Sequence, residues 1–335
     1  MSVAPSNPHD ALFRRIMSRP ADAAGELRHV LPESVAMRMD WDALTLESCS
    51  FVSTQLRSRY SDLLFRTRVD DHDTYIYLLV EHQSRPDRFM PLRMTEYMVA
   101  IWNRYLHEHP DTTTLPAVVP VVIHSGPHPR RWNTPTELFD LIDVDPTTRT
   151  ALSDHLPHLR LILDDLTTVD LPTLRARPLT AATRVMLMFH KIAAGNPDLG
   201  TDLLPLVPDI QAVVDAPGGL DDLVSLVAYI YLVGETSEDD LGPVIDKLGP
   251  RAKEVIVTTA ERLRAEGRTQ GRTEGRTEGR TEGFAELLID QLSIKFGHLP
   301  TAISDRVAKA DAALLRIWSR RVLTATTLDE VFDHS

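Results

Sequence analysis

Apolar positions divide this chain into recognisable elements. From His9 to Val30, the residues Leu12, Phe13, Ile16, Leu27 and Val30 recur at helical spacing, and Pro20 splits them into two short helices. Leu44–Val52 fits a short strand or a helix end, and periodicity does not separate the two. Asp62–Val69 reads as a strand and Asp70-Asp71-His72-Asp73 as a polar turn. Thr74–Val80, TYIYLLV, is dense in β-branched and aromatic residues, so the three segments predict an antiparallel hairpin. Phe89–His109 carries Met90, Met94, Tyr97, Met98, Ile101, Trp102 and Tyr105 on one helical stripe that ends at Pro110-Asp111. Ala117–His124 is a continuous apolar run of buried-strand length, and Pro120 within it predicts an edge position or a bulge. Leu159–Leu163 is a further short apolar segment ahead of Asp164-Asp165.

The pattern changes after Thr180. Ala181–Ala194, Asp221–Val233 and Pro250–Glu266 all have helical periodicity, and no strand is signalled. Residues 267–283 are an internal repeat, GRTQ followed by three copies of GRTE and a closing Gly. A period of four drifts about 40° per repeat on a helix of 3.6 residues per turn. Each Arg then lies two residues from its Glu, nearly on the opposite face, and each interior Gly costs about 1 kcal/mol relative to Ala. The repeat therefore predicts a flexible tether in the isolated chain. It becomes helical only where the Glu ridge of one copy meets the Arg ridge of another. Phe284–Phe296 is amphipathic and stops at Gly297 as a capped helix does; Pro300–Lys309, Ala312–Leu323 and Leu328–Phe332 complete a small helical module. The fold class expected is α/β (α+β), a mixed sheet with flanking helices, followed by an all-α region. Its boundaries fall at 8–180 for the core, 181–266 for a helical extension, 267–283 for the repeat linker and 284–335 for the C-terminal module.

Composition narrows the chemistry. The single cysteine, Cys49, excludes an internal disulfide framework and any Cys-rich zinc module. No signal peptide is visible, and the longest apolar stretch, Leu223–Val233, is far short of the roughly 20 residues that span a bilayer, so a cytoplasmic protein is expected. A net charge of −12 argues against a polyelectrolyte that coats nucleic acid, but not against an enzyme that holds a metal with carboxylates. No lysine precedes Lys191, so chemistry in the first half is expected to manage without one. No G-x-S-x-G turn and no Walker or Rossmann glycine pattern is present. His107 and His109, two apart on a helix, point in nearly opposite directions and suit a shared ion poorly. His124 and His128 flank a turn next to the sheet end.

The informative residues are Asp62, which opens one strand, and Glu81-His82-Gln83, which closes the next. Strand alternation puts Glu81 and Gln83 on one face, and the hairpin brings Asp62 across from it. Two carboxylates at a strand end offer the hard oxygen donors that Mg²⁺ takes, with water and a phosphate completing the shell. Singly, Asp62 reads as a capping acid and Glu81 as a solvated strand end. An Asp followed by Glu-x-Gln on the next strand looks like the PD-(D/E)XK nuclease pattern with Gln in place of Lys. Gln83 can place a water but cannot titrate.

The surrounding segments sharpen this likeness. HDALFRRIMSRPADAAGELRHVLP (His9–Pro32), SDLLFRTRV (Ser61–Val69), LLVEHQSRPD (Leu78–Asp87), PLRMTEYMVAIW and LPAVVPVVIHSGPHPRRW (Leu115–Trp132) closely resemble the Rpn recombination-promoting nuclease family, whose members are also described as YhgA-like putative transposases. The resemblance covers roughly residues 8–260. It implies a DNA endonuclease dependent on Mg²⁺ (or Ca²⁺/Mn²⁺), with a PD-(D/E)XK-like core, that promotes DNA recombination. It further implies that Asp62, Glu81 and Gln83 carry the active site, with Asp62 and Glu81 on the metal. An acid from the first helices completes such sites; Asp10 and Glu26 are both candidates, and the sequence does not choose. From the residues themselves, Arg66 and Arg85 can supply positive charge near DNA, though not act as bases, and Arg130 and Arg131 beside Trp132 read equally as a contact to DNA phosphates or as a solvated loop anchored by Trp132. The tail after Phe284 looks like a helical domain attached to such proteins, suited to self-association. The competing expectation is a catalytically inactive relative that binds DNA or a partner and assembles through that tail.

Overall fold

The hairpin read from the alternation is the centre of the sheet. The structure is a computed structural model that describes residues 7–48, 61–70, 72–82, 86–125 and 131–332, without the side chains of residues 61, 62, 77–82, 238, 274 and 278. The chain divides into two compact units, Met1–Ala260 and Glu261–Ser335.

In the first unit, β1 (Thr45–Glu47), β2 (Ser61–Val69), β3 (His72–His82), β4 (Ala117–Ser125) and β5 (Ile162–Asp165) form a mixed sheet in that spatial order. β1–β2 and β2–β3 are antiparallel, and β3–β4 and β4–β5 are parallel. Asp70, at φ 53°, takes the left-handed turn between β2 and β3, a conformation that Asp tolerates better than most residues. Pro120 pairs with Tyr77 in β3, while β5 begins its pairing at Val121, so the proline sits where β4 has only one neighbouring strand. The edge expectation is met in that half of the strand only.

Alternation sorts the two faces. Leu63, Phe65, Ile76, Val121 and Ile123 pack with α1 (Pro8–Met17), α2 (Pro20–Val30) and α7 (Ala181–Ile192) in one core. In chain order α3 (Glu33–Ala36) precedes β1, α4 (Met90–Glu108) follows β3, α5 (Pro146–Ala151) follows β4 and α6 (Leu171–Ala176) follows β5. Leu64, Tyr75, Val118 and Val122 face the other way, under Met90, Met94, Tyr97 and Ile101 of α4. The first core continues without a break into α8 (Leu199–Leu203), α9 (Val207–Asp215), α10 (Gly219–Val233) and α11 (Glu238–Lys247), and reaches Ile256. Polar clamps fix the same packing. Arg19 holds both oxygens of Asp222 at 2.9 and 2.8 Å and also meets Asp22, while Asp22 accepts a 2.5 Å hydrogen bond from the Thr180 hydroxyl.

Gly219 follows the turn after α9 so closely that a Cβ there would lie 1.7 Å from the Val213 carbonyl oxygen. Gly219→Ala is therefore expected to cost about 1–3 kcal/mol through forced backbone movement. Thermal melting checks this against Gly242→Ala, where an added Cβ meets nothing within 4 Å.

The 48-residue helix α12 (Gly249–Phe296) runs through the Gly-Arg-Thr-Glu repeat, which corrects the expectation of a flexible tether. Nucleation is the expensive step of helix formation. Both flanks are already helical, so the repeat only propagates them. Thr269, Thr273, Thr277 and Thr281 each donate a hydroxyl hydrogen bond to the carbonyl four residues back, at 2.8–3.0 Å.

In the second unit, the end of α12 packs with α13 (Thr301–Ala308), α14 (Ala312–Thr324) and α15 (Leu328–Phe332) around Leu288, Leu292, Val307, Leu315, Trp318 and Phe332. Gly297, at φ 81°, ends α12 with its N–H on the Ser293 carbonyl, as the capping pattern predicts. Among the described residues no helix is long and apolar enough to cross a membrane.

Candidate active site

Strand register aligns the acids named from the sequence. Asp62 pairs with Leu79, two positions before Glu81, and Glu81 pairs with His124 of β4. His124 in turn pairs with Asp165 of β5. Glu81, His124 and Asp165 thus form one row across the C-terminal ends of three parallel strands. The side chains of Asp62 and Glu81, and all of Gln83, Arg85 and Arg130, lie outside the described residues.

The described part of this row sits on the α4 side of the sheet. His124 is 1 % exposed and meets the Trp132 ring edge-on at 5.3 Å. Asp165 accepts the Trp132 N–H on Oδ2 at 2.9 Å, and the Thr167 N–H and hydroxyl on Oδ1 at 3.1 and 2.7 Å. Its carboxylate therefore ties the segment arriving after β4 to the turn leaving β5. Arg131, next to Trp132, is exposed. Arg66 stands four residues along β2 from Asp62 and donates to Asp73 at 3.0 Å.

The two first-helix acids belong to the opposite face. Asp10 lies in the first turn of α1, which packs on the face covered by α2 and α7. Glu26 of α2 is fully buried there. Its Oε1 accepts from Arg177 Nη1 at 2.9 Å, and the same guanidinium grips Asp164 of β5 with two bonds, Nη1–Oδ2 at 2.8 Å and Nη2–Oδ1 at 2.9 Å. Glu26 Oε2 and Arg177 Nε are buried without a hydrogen-bond partner. Burial, and then the negative charge of Asp164, push the Glu26 carboxyl up to about 8, so it holds its proton at neutral pH. Against the opposing effect of burial, Asp164 is held below the ordinary carboxylate range by Arg177 and by a hydrogen bond with the Glu26 carboxyl group. His29, nearby on α2, is lowered by burial and by Arg177. Glu26 is thus the neutral member of an ion-pair cluster, and the structure does not bring it to the Asp62 and Glu81 row.

Reading along the chain missed two cations at this end of the sheet. Arg177 follows α6, and Lys191 ends α7 with its Nζ donating to the Leu166 carbonyl at 2.9 Å. Burial lowers the Lys191 pKa, against the attraction of Asp165 and Asp170. The lysine that the first half lacks is delivered beside β5 from the helical extension. Its signal in the sequence was only its being the first lysine. Elsewhere in this core, His9 Nδ1 and the Tyr229 hydroxyl share a 2.8 Å hydrogen bond, with burial lowering His9 to about 4 and His190 to about 3. Among the described residues no group of three or more His, Cys, Asp or Glu side chains is placed to hold a metal ion.

Comparison with known proteins gives a consistent relationship. The family described as "Putative transposase, YhgA-like" matches residues 7–217. Recombination-promoting nuclease RpnD of Escherichia coli O157:H7 is 31% identical over 265 residues, covering 77% of this chain and 94% of RpnD. Recombination-promoting nuclease RpnA of Escherichia coli K12 is 29% identical over 268 residues, covering 78% of this chain and 85% of RpnA. The inactive recombination-promoting nuclease-like protein RpnE of the same strain is 32% identical over 268 residues, with 78% of this chain and 83% of RpnE covered. No solved structure matches. The matched segment begins at α1 and spans the whole sheet, and the chain belongs to the family of YhgA-like putative transposases and Rpn recombination-promoting nucleases.

Proposed function

We propose that this chain is a divalent-metal-dependent DNA endonuclease with a PD-(D/E)XK-like core, acting in DNA recombination in the cytoplasm. The observation that supports this most directly is the register of β2 on β3. Asp62 opposes Leu79, and Glu81 follows two positions later, so the two acids occupy positions of like parity, which a pleated sheet puts on one face. The names of RpnD and RpnA support the same chemistry.

In this reading Asp62 and Glu81 would hold Mg²⁺, with Ca²⁺ or Mn²⁺ as substitutes. Carboxylates are the donors such hard cations take, and the described residues contribute no competing ligand cluster. When bound, the ion supplies Lewis-acid polarisation of the phosphodiester and a water of lowered pKa. Gln83 would orient that water by hydrogen bonding without exchanging a proton. His124, packed against Trp132, is the register partner of Glu81 on the neighbouring strand, and the exposed Arg131 would offer charge to a DNA phosphate. The C-terminal helices would bring two copies together on a duplex.

Nicking of supercoiled plasmid with Mg²⁺, and again with the metal chelated, tests the proposal. Metal-dependent conversion to open circles is the expected result, and cutting that survives chelation would overturn it. A second reading, a non-catalytic binding protein of nuclease descent, is favoured by one observation, the similarity to the inactive RpnE. It predicts no cutting, and a melting temperature that ignores millimolar Mg²⁺.

A further inference from the structure

β5 is the shortest strand at the parallel end of the sheet, with four residues in register, yet it carries the last member of the Glu81–His124–Asp165 row. Four residues of ladder on one side are little to fix a strand end. The structure supplies other holds. From the α2 face, Arg177 takes Asp164 with two bonds and Glu26 with a third. Lys191 takes the Leu166 carbonyl at 2.9 Å, and the Leu166 N–H reaches the His124 carbonyl at 2.9 Å. On the other face, Asp165 takes the backbone N–H groups of Trp132 and Thr167. The two consecutive aspartates point to opposite faces, so a force on Asp164 is transmitted to Asp165 through one peptide unit.

We propose that Glu26, Arg177 and Asp164 are positioning residues of the candidate active site, acting through the end of β5 on Asp165 and hence on the Trp132 segment beside His124. As a role in catalysis this rests on the endonuclease reading; as a structural coupling it stands without it. The planar guanidinium suits the task because two parallel bonds fix Asp164 in direction as well as distance. The groups that face Glu26 are Asp164 on β5, Arg177 after α6 and, more remotely, His29 on α2. With Glu26 protonated, the cluster of one cation and one anion is neutral. Ionising Glu26 places a second negative charge in a buried site, and the grip on Asp164 loosens. Ionising Glu26 also removes the proton through which its carboxyl group hydrogen-bonds Asp164.

Residue-resolved amide exchange of the full-length protein tests this, with the Trp132 and Thr167 amides as reporters. Arg177→Lys keeps the charge and removes the two-bonded grip. It is expected to speed exchange at both reporters about tenfold or more, with the amides of β2 and β3 unchanged. Glu26→Gln retains the shape of the protonated acid. After correction for intrinsic exchange, the wild-type reporters are expected to lose protection between pH 7 and 9, while those of Glu26→Gln do not. Unchanged reporters in Arg177→Lys, or the wild-type pH profile persisting in Glu26→Gln, would overturn the proposal. In the nicking assay, Arg177→Lys is expected to lower kcat with KM unchanged. A wild type that cuts nothing sinks the endonuclease reading, and the exchange result still decides the coupling.

Discussion

Asp62→Ala and Glu81→Ala are each expected to reduce metal-dependent nicking by about 100-fold or more, because under the proposed function a divalent cation that loses one of its two carboxylates would lose several kcal/mol of transition-state stabilisation, at about 1.4 kcal/mol per tenfold in rate. Asp62 stands in the unbroken β2–β3 register from Ser61↔Val80 to Val69↔His72, and Glu81 in the β3–β4 register opposite His124, so the substitutions are expected to leave both ladders intact. Circular dichroism and thermal melting of the variants should match wild type within a few degrees. Glu26→Gln provides the contrast. Glu26 lies across the sheet from this row, already carries a proton at neutral pH, and should retain nicking near the wild-type rate at pH 7. Loss of activity in Glu26→Gln with full activity in Asp62→Ala would reverse the assignment of the site.

Arg177→Met destabilises the first unit by about 3–5 kcal/mol, the usual cost of leaving a buried charge without its partner. Asp164 would keep a carboxylate only 9 % exposed, facing Glu26 with no cation between them. Replacing all three members with apolar residues of similar volume should recover most of that loss, since the desolvation of the charges disappears with them. Equal melting temperatures for the single and the triple variant would show that the cluster is not the source of the effect.

The pH dependence follows from the same residues. Glu26 rises from 4.5 in the unfolded chain to about 8 when folded. A carboxyl that binds its proton more tightly in the folded state contributes stability that is complete below 4.5 and is lost as pH rises towards 8. His9, His29 and His190 are shifted down, so their contribution runs the other way, present above 6.5 and lost as pH falls. Between pH 6.5 and 8 the melting temperature of Glu26→Gln should therefore gain steadily on that of wild type.

The hairpin and α4 were legible because their patterns are local: a β-branched run of period two in Thr74–Val80 and a clean 3.6 stripe from Met90 to Tyr105. The strand positions of Asp62 and Glu81 were legible for the same reason, since one turn sets the register that aligns them. The repeat was misread because a per-residue cost counts its glycines and ignores the helices already formed on both sides. Glu26 was ambiguous because its own helix is amphipathic; only Arg177 and Asp164, 151 and 138 positions further on, show why a carboxyl is buried there. Lys191 illustrates the same limit. A lysine absent from the first half of a sequence is not absent from the space around it.

The long-range clamps on the first two helices have a consequence for synthesis. His9 waits for Tyr229 and Arg19 for Asp222, partners separated from them by 220 and 203 residues. A ribosome adding about 5–20 residues per second leaves α1 exposed for tens of seconds before α10 exists to cover it. In that interval the apolar side chains of Leu12, Phe13, Ile16 and Met17, all buried in the finished core, have no final resting place. The nascent chain must carry a sticky first helix through most of its own translation.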